Sequence, residues 1–259
     1  MYKPKKSLGQ NFLLNKNISN SMVFSLDLDP KDVVVEIGAG LGAVTQKLTE
    51  QLFEFGSKIY ALEIDERFIP KLEQMFLNSL NVKVVHADVL EWLPKQEFEK
   101  DFKVLGSLPY YITSPILHTL VKLKKRPEKA VVLIQKEVAE KVSARAPDSS
   151  YLSVFMQTFF EVEYLKTVPR ESFKPVPKVD GGVLLLDRKD VTDVFSDLDV
   201  VKRYEGFLHK GFSSPRKMLN KPFNKKELEV AGVDGKKRPQ ELGVSEWVGM
   251  FEKLVLKTK

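Results

Sequence analysis

The chain lacks cysteine entirely among its 259 residues. Disulfide bonds, thiolate metal sites and a cysteine nucleophile are therefore excluded. The sequence has no run of about 18 apolar residues, so we expect no membrane-spanning helix and no membrane partner. The basic start at residues 1–6 is not followed by the apolar stretch of a secretory signal. These absences, with no cluster of metal-ligating residues, predict a cytoplasmic protein that uses no metal.

What the chain has in excess is positive charge. Its formal net charge is +6, and 43% of its residues are hydrophobic, an ordinary value for a globular protein. Residues 202–238 contain eleven Lys and Arg but only four acids, so this region alone exceeds the charge of the whole chain. Such a concentration is typical of a surface that contacts phosphate, although a solvated helix face is the alternative.

The segment around which the chain is organised is Val33–Gly42. A short apolar, valine-rich run ends at Gly38, Gly40 and Gly42, and a helix-periodic pattern follows at once. Strand, glycine turn and helix form a nucleotide-binding unit, in which the helix N–H groups are expected to face the ligand. Gly38, Gly40 and Ala43 also satisfy the dinucleotide pattern, so a nicotinamide oxidoreductase and a turn without a ligand both remain alternatives.

Two further strands end in acids. Glu63 closes the next predicted strand, 21 residues after Gly42, a spacing that suits a carboxylate bound to ribose hydroxyls. Asp88 closes the third strand and could accept a hydrogen bond from an adenine amino group. The alternative for Glu63 is a solvated charge at a strand end. Together these acids predict a pocket at the carboxyl edge of a parallel sheet.

The fourth strand runs into Ser107-Leu108-Pro109-Tyr110. Pro109 fixes the turn and cannot donate, so the Leu108 carbonyl is available to accept from a substrate amine while Tyr110 stacks on a flat base. Phe173, in a loop with two prolines and two lysines at 172–179, is a second candidate for base stacking. The alternatives are a strand-capping turn with core tyrosines and a proline-stiffened surface loop.

The N-terminal residues 1–16 are polar, with an apolar anchor at Phe12, Leu13 and Leu14. Their composition favours a partly ordered arm over a flap in which Asn11 supplies an amide. After residue 187 the chain changes to short helices with more charge. We therefore predict two domains, one at 1–187 that contains the expected pocket and a helical, basic one at 188–259.

In combination these stretches resemble the ribosomal RNA adenine dimethyltransferases over nearly the whole chain and in the same order. The matching stretches are residues 7–13, the glycine loop 36–42, Glu63, Asp88, the Leu-Pro-Tyr run 108–110, residues 135–137, 151–154 and 173–179. The resemblance implies a Rossmann-like methyltransferase fold, with a mostly parallel sheet, an antiparallel last strand and a small all-helical C-terminal domain. It also implies that the domain at 1–187 is the cofactor-binding catalytic domain and that the basic domain at 188–259 binds rRNA.

The resemblance also implies roles for single residues. Asn11, Leu13 and Gly40 would lie near S-adenosylmethionine. Gly38 would lie at its amino-acid portion, Glu63 at its ribose and Asp88 at its adenine. Where the family has Asn-Leu-Pro-Tyr, this chain has Ser107 in place of the asparagine. A serine hydroxyl can still accept from the target amine, but it is shorter. Ser107, Leu108, Pro109, Tyr110 and Phe173 are thus the candidate catalytic residues, with Ser107 also near the cofactor.

The implied activity is dimethylation of the 6-amino groups of two adjacent adenosines near the 3′ end of 16S small-subunit rRNA. The methyl donor is S-adenosylmethionine, the product S-adenosylhomocysteine, and the expected partner of this monomer is a precursor of the 30S subunit. Two rivals remain besides the oxidoreductase. One is a large-subunit rRNA adenine methyltransferase of the antibiotic-resistance type, and the other is an rRNA-binding assembly factor with weak catalysis.

Overall fold

The computed structural model describes residues 5, 8–191 and 193–256. The described residues form nine strands: β1 (Phe12–Leu13), β2 (Val33–Ile37), β3 (Lys58–Glu63), β4 (Val82–His86), β5 (Phe102–Ser107), β6 (Lys129–Gln135), β7 (Phe160–Val168), β8 (Phe173–Lys174) and β9 (Gly181–Arg188). They also form ten α-helices: α1 (Lys16–Ser25), α2 (Ala43–Gln51), α3 (Ile69–Met75), α4 (Val89–Trp92), α5 (Thr113–Lys122), α6 (Lys136–Ser143), α7 (Tyr151–Phe159), α8 (Leu198–Gly211), α9 (Lys225–Ala231) and α10 (Val244–Phe251).

Seven strands build one sheet in the order β4-β3-β2-β5-β6-β9-β7. The neighbours from β4 to β6 pair in parallel, whereas β9 runs antiparallel to β6. The central strands are apolar and buried, which is what a parallel sheet covered on both faces requires. The predicted mostly parallel sheet with an antiparallel last strand is therefore confirmed.

A second, two-stranded sheet ties the N-terminal arm to the proline-containing loop. Phe12 pairs with Lys174 and Leu13 with Phe173, in antiparallel register. The next amide continues the ladder, because Leu14 N donates to Ser172 O at 2.8 Å. The predicted apolar anchor is confirmed in part. Leu13 packs against the core, whereas the Leu14 side chain is 57% exposed.

The chain divides into two compact units. The first contains the residues up to Ala139 together with Glu163–Arg188, and the second contains Glu140–Val162 together with the residues from Lys189 onward. The second unit thus includes α7, which the sequence analysis placed in the catalytic domain. The functional division at residue 187 stays a prediction.

An aromatic core holds the second unit together. Tyr204 and Trp247 are completely buried, and the Phe251 ring lies 5.1 Å from the ring of Tyr204 and 5.7 Å from that of Phe207. These residues come from α8 and α10, whose apolar faces recur at helical spacing. The predicted helical C-terminal region is confirmed. In the part of the chain that the structure describes, no helix has the length and apolarity to cross a bilayer.

Candidate active site

The predicted site residues follow strands whose carboxyl ends share one edge of the sheet. In the register of the three central strands, Ile37 at the end of β2 lies between Leu62 of β3 and Gly106 of β5. Glu63 pairs in turn with His86, two residues before Asp88. The parallel topology therefore gathers the glycine turn, Glu63, Asp88 and Ser107 at this edge, where open α/β sheets bind ligands.

The glycine turn is held by the end of the neighbouring strand. Gly38 N and Ala39 N both donate to Leu62 O at 2.9 Å, and Gly40 N donates to Glu63 Oε2 at 2.8 Å. Gly38 and Gly40 have φ values of 79° and 55°, which side chains with a Cβ rarely adopt. These three N–H groups are not free for a ligand, because β3 already engages them. The sequence analysis expected the N–H groups at the start of α2 to face the ligand, and that expectation stays a prediction.

Glu63 is a buried carboxylate fixed by two backbone amides. Besides Gly40 N, it accepts from Asp65 N, through Oε1, at 2.8 Å. Burial raises the pKa of Glu63, and these amide hydrogen bonds oppose that shift. Each oxygen has a further lone pair, so the fixed carboxylate can still accept one hydrogen bond at each oxygen.

Glu36 is a second buried carboxyl at this edge, and the sequence analysis gave it no role. It is 3% exposed, and Thr45 Oγ1 donates to its Oε2 at 2.6 Å. Burial first, and then the charge of Glu63, raise the pKa of Glu36 to about 7. The signal in the sequence was an acid inside an otherwise apolar strand, Val33–Ile37.

Asp88 is half-buried at the start of α4. Its Oδ1 accepts from Leu90 N at 2.8 Å, so the side chain caps the helix. The cap leaves the second carboxylate oxygen for another donor. The proposed contact of Asp88 with an adenine amino group stays a prediction that this geometry allows.

Two hydrogen-bond acceptors without a partner in the described part of the chain lie where β5 ends. Neither Ser107 Oγ nor Leu108 O accepts a hydrogen bond from any described residue. The turn itself is fixed, because Leu108 N donates to Leu133 O at 2.9 Å and Ile112 N donates to Pro109 O at 3.2 Å. The Leu108 carbonyl thus stands on a fixed backbone, and the Ser107 hydroxyl beside it is open to a donor.

Tyr110 combines a half-buried ring with a buried hydroxyl that has no hydrogen-bond partner among the described residues. Burial and the charge of Asp180 raise its pKa, so the hydroxyl stays protonated at neutral pH. A buried hydroxyl without a partner costs free energy, and natural proteins retain such groups mainly where something else can bind them.

The N-terminal arm packs onto this edge. A side chain on Gly9 would lie 3.0 Å from the Tyr111 ring, and one on Gly40 would lie 3.6 Å from the Phe12 ring. Asn11 is half-buried, and its Nδ2 donates to Gly9 O at 3.2 Å. Phe12, which stands between Asn11 and Leu13, is thereby against the glycine turn, whereas contact of Asn11 and Leu13 with the cofactor stays a prediction. Ser7, the first residue of the arm motif, lies outside the described residues.

Phe173 is more deeply buried than most of the other candidate residues. It is 3% exposed and belongs to the apolar core with Leu133, Val168 and Val183. Its ring is therefore covered in this structure. The predicted stacking of Phe173 on a base needs the ring to become accessible and stays a prediction.

Beside Tyr110 opens a charged cleft of about 470 Å³. Its lining alternates in sign, with Lys136, Glu137, Arg170, Glu171, Lys178 and Asp180. Arg170 N donates to Asp180 Oδ1 at 3.0 Å, which fixes the carboxylate that acts on Tyr110. Among the described residues no group of three or more His, Asp or Glu is arranged to hold a metal ion.

The family model described as "Ribosomal RNA adenine dimethylase" matches residues 1–255 of this chain. The chain belongs to that family. It is an enzyme of the methyl-transferring class, and its Rossmann-like sheet is the methyltransferase sheet. The nicotinamide alternative is overturned by this match.

Similar proteins agree with this assignment. The ribosomal RNA small subunit methyltransferase A of Persephonella marina is 36% identical, over 98% of this chain and 95% of its own. The protein of the same name from Bacillus cytotoxicus is 35% identical, over 97% of this chain and 91% of its own.

Two solved structures are also similar. A dimethyladenosine transferase from Plasmodium falciparum superposes with a TM-score of 0.77 at 25% identity, covering 93% of this chain and 96% of its own. The 23S rRNA methyltransferase ErmE superposes with a TM-score of 0.74 at 27% identity, covering 94% of this chain and 99% of its own.

Proposed function

We propose that this adenine dimethylase transfers methyl groups from S-adenosylmethionine to the 6-amino groups of two adjacent adenosines near the 3′ end of small-subunit rRNA. The observation that carries the proposal is the set of unpartnered polar groups around the β5 exit. Ser107 Oγ, Leu108 O and Tyr110 Oη lack partners among the described residues, and they follow directly after a strand that borders the glycine turn. The names of the curated relatives support the small-subunit substrate.

Two observations support the fit of the carboxylates at this edge to an adenosyl ligand. Glu63 is held by two amides with one lone pair to spare at each oxygen, the number that two ribose hydroxyls need. Asp88 likewise keeps one carboxylate oxygen beyond its helix cap. Glu63 would therefore hold the ribose of S-adenosylmethionine, and Asp88 would hold its adenine. The amino-acid side of the ligand would lie at the Gly38–Gly40 turn, near Asn11 and Leu13.

When bound, this group supplies a methyl on a positively charged sulfur, already activated for transfer. The protein's task is to position the target amine. In the first transfer Ser107 Oγ and Leu108 O would accept hydrogen bonds from its two N–H groups, and in the second transfer one of them would accept from the single N–H that remains. These bonds would draw the nitrogen lone pair out of conjugation with the purine ring, and the nitrogen would lose one proton as each methyl is bound. Tyr110 holds the base by its face. Fixed positioning of this kind can contribute several kcal/mol, about 7–11 in the best cases.

RNA binding is assigned to the basic second unit. Within its residues 216–238, six Lys and Arg side chains are exposed and form no ion pair with a described residue: Arg216, Lys217, Lys221, Lys226, Lys236 and Arg238. Unpaired exposed cations are the groups that phosphate contacts use. We infer that the partner is a precursor of the small ribosomal subunit. We also infer that this protein is a monomer and acts in the cytoplasm.

The direct test is mass spectrometry of the small-subunit rRNA from cells with and without this protein. We expect two dimethylated adenosines that disappear on deletion and return with the wild-type gene. Purified small and large subunits with labelled S-adenosylmethionine give the complementary test in vitro. Label in small-subunit rRNA alone supports the proposal, and label in 23S rRNA alone contradicts it.

The likeness to ErmE makes a large-subunit substrate the second candidate. The assembly-factor alternative rests on Ser107, which stands where the family has asparagine. Ser107→Asn should retain or raise the methylation rate, and Ser107→Ala should lower it roughly tenfold, the worth of one neutral hydrogen bond. Subunit assembly that is normal in cells carrying Asp88→Ala, a variant expected to lose cofactor binding, would favour the binding role over catalysis.

A further inference from the structure

A second acid at the end of β3 binds the N-terminal arm. Asp65 follows Glu63 by two residues and is 1% exposed. Its Oδ2 accepts from Gln10 Nε2 at 2.7 Å, and its Oδ1 accepts from Lys5 Nζ at 3.1 Å. Arg67 completes the set, with its Nη2 2.6 Å from Oδ2. A buried carboxylate with three charged or amide donors is a built contact, unlike an exposed ion pair.

Gln10 uses both ends of its amide in this contact. While its Nε2 donates to Asp65, its Oε1 accepts from Lys5 N at 2.8 Å. The amide therefore joins two points of the arm to one carboxylate. Gln10 is a connecting group, and a substitution at this position acts on the arm and on Asp65.

The arm so held touches three parts of the candidate active site. Gly9 packs on the Tyr111 ring, and Phe12 lies against Gly40 and, edge-to-face, against Phe68 with ring centroids 5.7 Å apart. Leu13 pairs with Phe173. On the other side of the contact, Asp65 N donates to Glu63 Oε1. The backbone of Asp65 thus positions the ribose-binding carboxylate, and its side chain holds the arm.

We propose that Asp65 is a positioning residue whose contact with Gln10 keeps the N-terminal arm against the cofactor cleft and thereby sets the affinity for, and the residence time of, the adenosyl ligand. The inference rests on the proposed function, because the ligand is the cofactor of that reaction. Dimethylation of two bases needs the spent cofactor to leave between transfers. The contact is one that can open for this exchange, because Lys5 and Arg67 are partly solvated, with 39% and 31% of their side chains exposed.

The test measures binding of S-adenosylhomocysteine by calorimetry and its dissociation rate by stopped flow. Gln10→Ala and Asp65→Asn should each raise the dissociation constant roughly 5- to 150-fold, the usual range for coupled sites, mainly through faster dissociation. Asp65 Oδ1 also accepts from Arg67 N at 3.3 Å, as an N-cap does. Asn caps a helix as well as Asp does, so Asp65→Asn keeps this bond. The matched control is Lys47→Ala, which breaks the exposed Lys47–Glu50 ion pair and should leave binding unchanged.

A polarity swap separates this role from general stability. Gln10→Glu places a second carboxylate against Asp65 and should weaken binding most. Adding Asp65→Asn to Gln10→Glu places an amide donor at position 65 against a carboxylate acceptor at position 10. The double variant should therefore recover most of the affinity. Failure of the double variant to recover, with both single variants folded by circular dichroism, would overturn the proposal. Equal affinity of Gln10→Ala and the wild type would also overturn it, whereas no binding by the wild type would count against the proposed function itself.

Discussion

Glu36 and Glu63 bring two carboxyl groups together at the buried end of the central strands, and Glu63 accepts from the backbone amides of Gly40 and Asp65. Among the described residues, Glu36 is stabilised by Thr45 alone, through its hydroxyl and, more weakly, its backbone amide. Desolvation therefore dominates at Glu36, and the group binds its proton more tightly in the folded chain than in the unfolded one. The consequence is a stability that depends on pH in a direction opposite to that of a salt-bridged acid.

The sign follows from linkage. Between pH 4.5, the ordinary value, and the folded pKa of about 7, the folded state holds more protons at Glu36 than the unfolded state does. Its contribution to the free energy of unfolding is therefore present at low pH and falls as pH rises, by about 3 kcal/mol across the window. Glu36→Gln should flatten that fall when urea unfolding is measured from pH 5 to pH 8. Glu50→Gln, at an exposed position, is the control, and parallel curves for Glu36→Gln and the wild type would contradict the assignment.

Tyr110→Phe should change stability and activity in opposite directions. Removal of a buried hydroxyl without a partner should raise the free energy of unfolding by about 1 kcal/mol. If the bound base or cofactor supplies the missing partner, kcat/KM should fall at the same time. Thermal melting and methylation kinetics on one preparation check both. A fall in stability would mean that the hydroxyl has a partner in the ligand-free protein.

At the scale of elements, the start of α7 shows how local sequence fixes a helix. Ser150 Oγ accepts from Ser153 N at 3.1 Å, and Ser153 Oγ accepts from Ser150 N at 2.6 Å, which makes a reciprocal capping box. The first residue of the helix, Tyr151, stacks on His209 of α8 with ring centroids 4.0 Å apart. The cap thus sets where the helix begins and which face meets α8.

Ser150→Ala should lower the free energy of unfolding by about 1 kcal/mol, the usual worth of an N-cap. Chemical denaturation measures it. The matched substitution Ser19→Ala lies inside α1, where the half-buried serine hydroxyl donates only to Lys16 O of the same helix, and helix propensity predicts little change or a small gain there. An equal loss in both variants would show that the cap contributes nothing of its own.

For the whole molecule, the net charge of +6 matters through its distribution. If the second unit binds RNA as proposed, its exposed cations without acidic partners in residues 216–238 are the expected phosphate contacts, whereas many lysines elsewhere are paired, as Lys47 is with Glu50. Binding to RNA should therefore weaken steeply with salt, because each phosphate contact releases about 0.7–0.9 of a counterion.

Replacing both Lys217 and Lys221 by Gln should lower the slope of log affinity against log salt by about 1 to 2, with a similar loss for every RNA sequence. Filter binding or anisotropy across a salt series measures the slope. Lys47→Gln should leave it unchanged, because that cation is paired with Glu50. A slope that falls equally in both variants would mean that RNA binding depends on the total charge of the protein and not on where the charge lies.

The sequence by itself determined the parallel sheet, the glycine turn and the two strand-end acids, because these depend on local patterns: apolar runs, glycines and fixed spacings. Only the tertiary structure decided what the turn's amides bind, that Phe173 is covered, and that Glu36 and Asp65 are buried functional candidates. Each of those outcomes depends on partners distant in sequence, Leu62 for Gly38 and Gln10 for Asp65, and no local pattern encodes such pairings. The grouping of α7 with the helices of the second unit has the same cause, since an amphipathic face does not specify which neighbour will cover it.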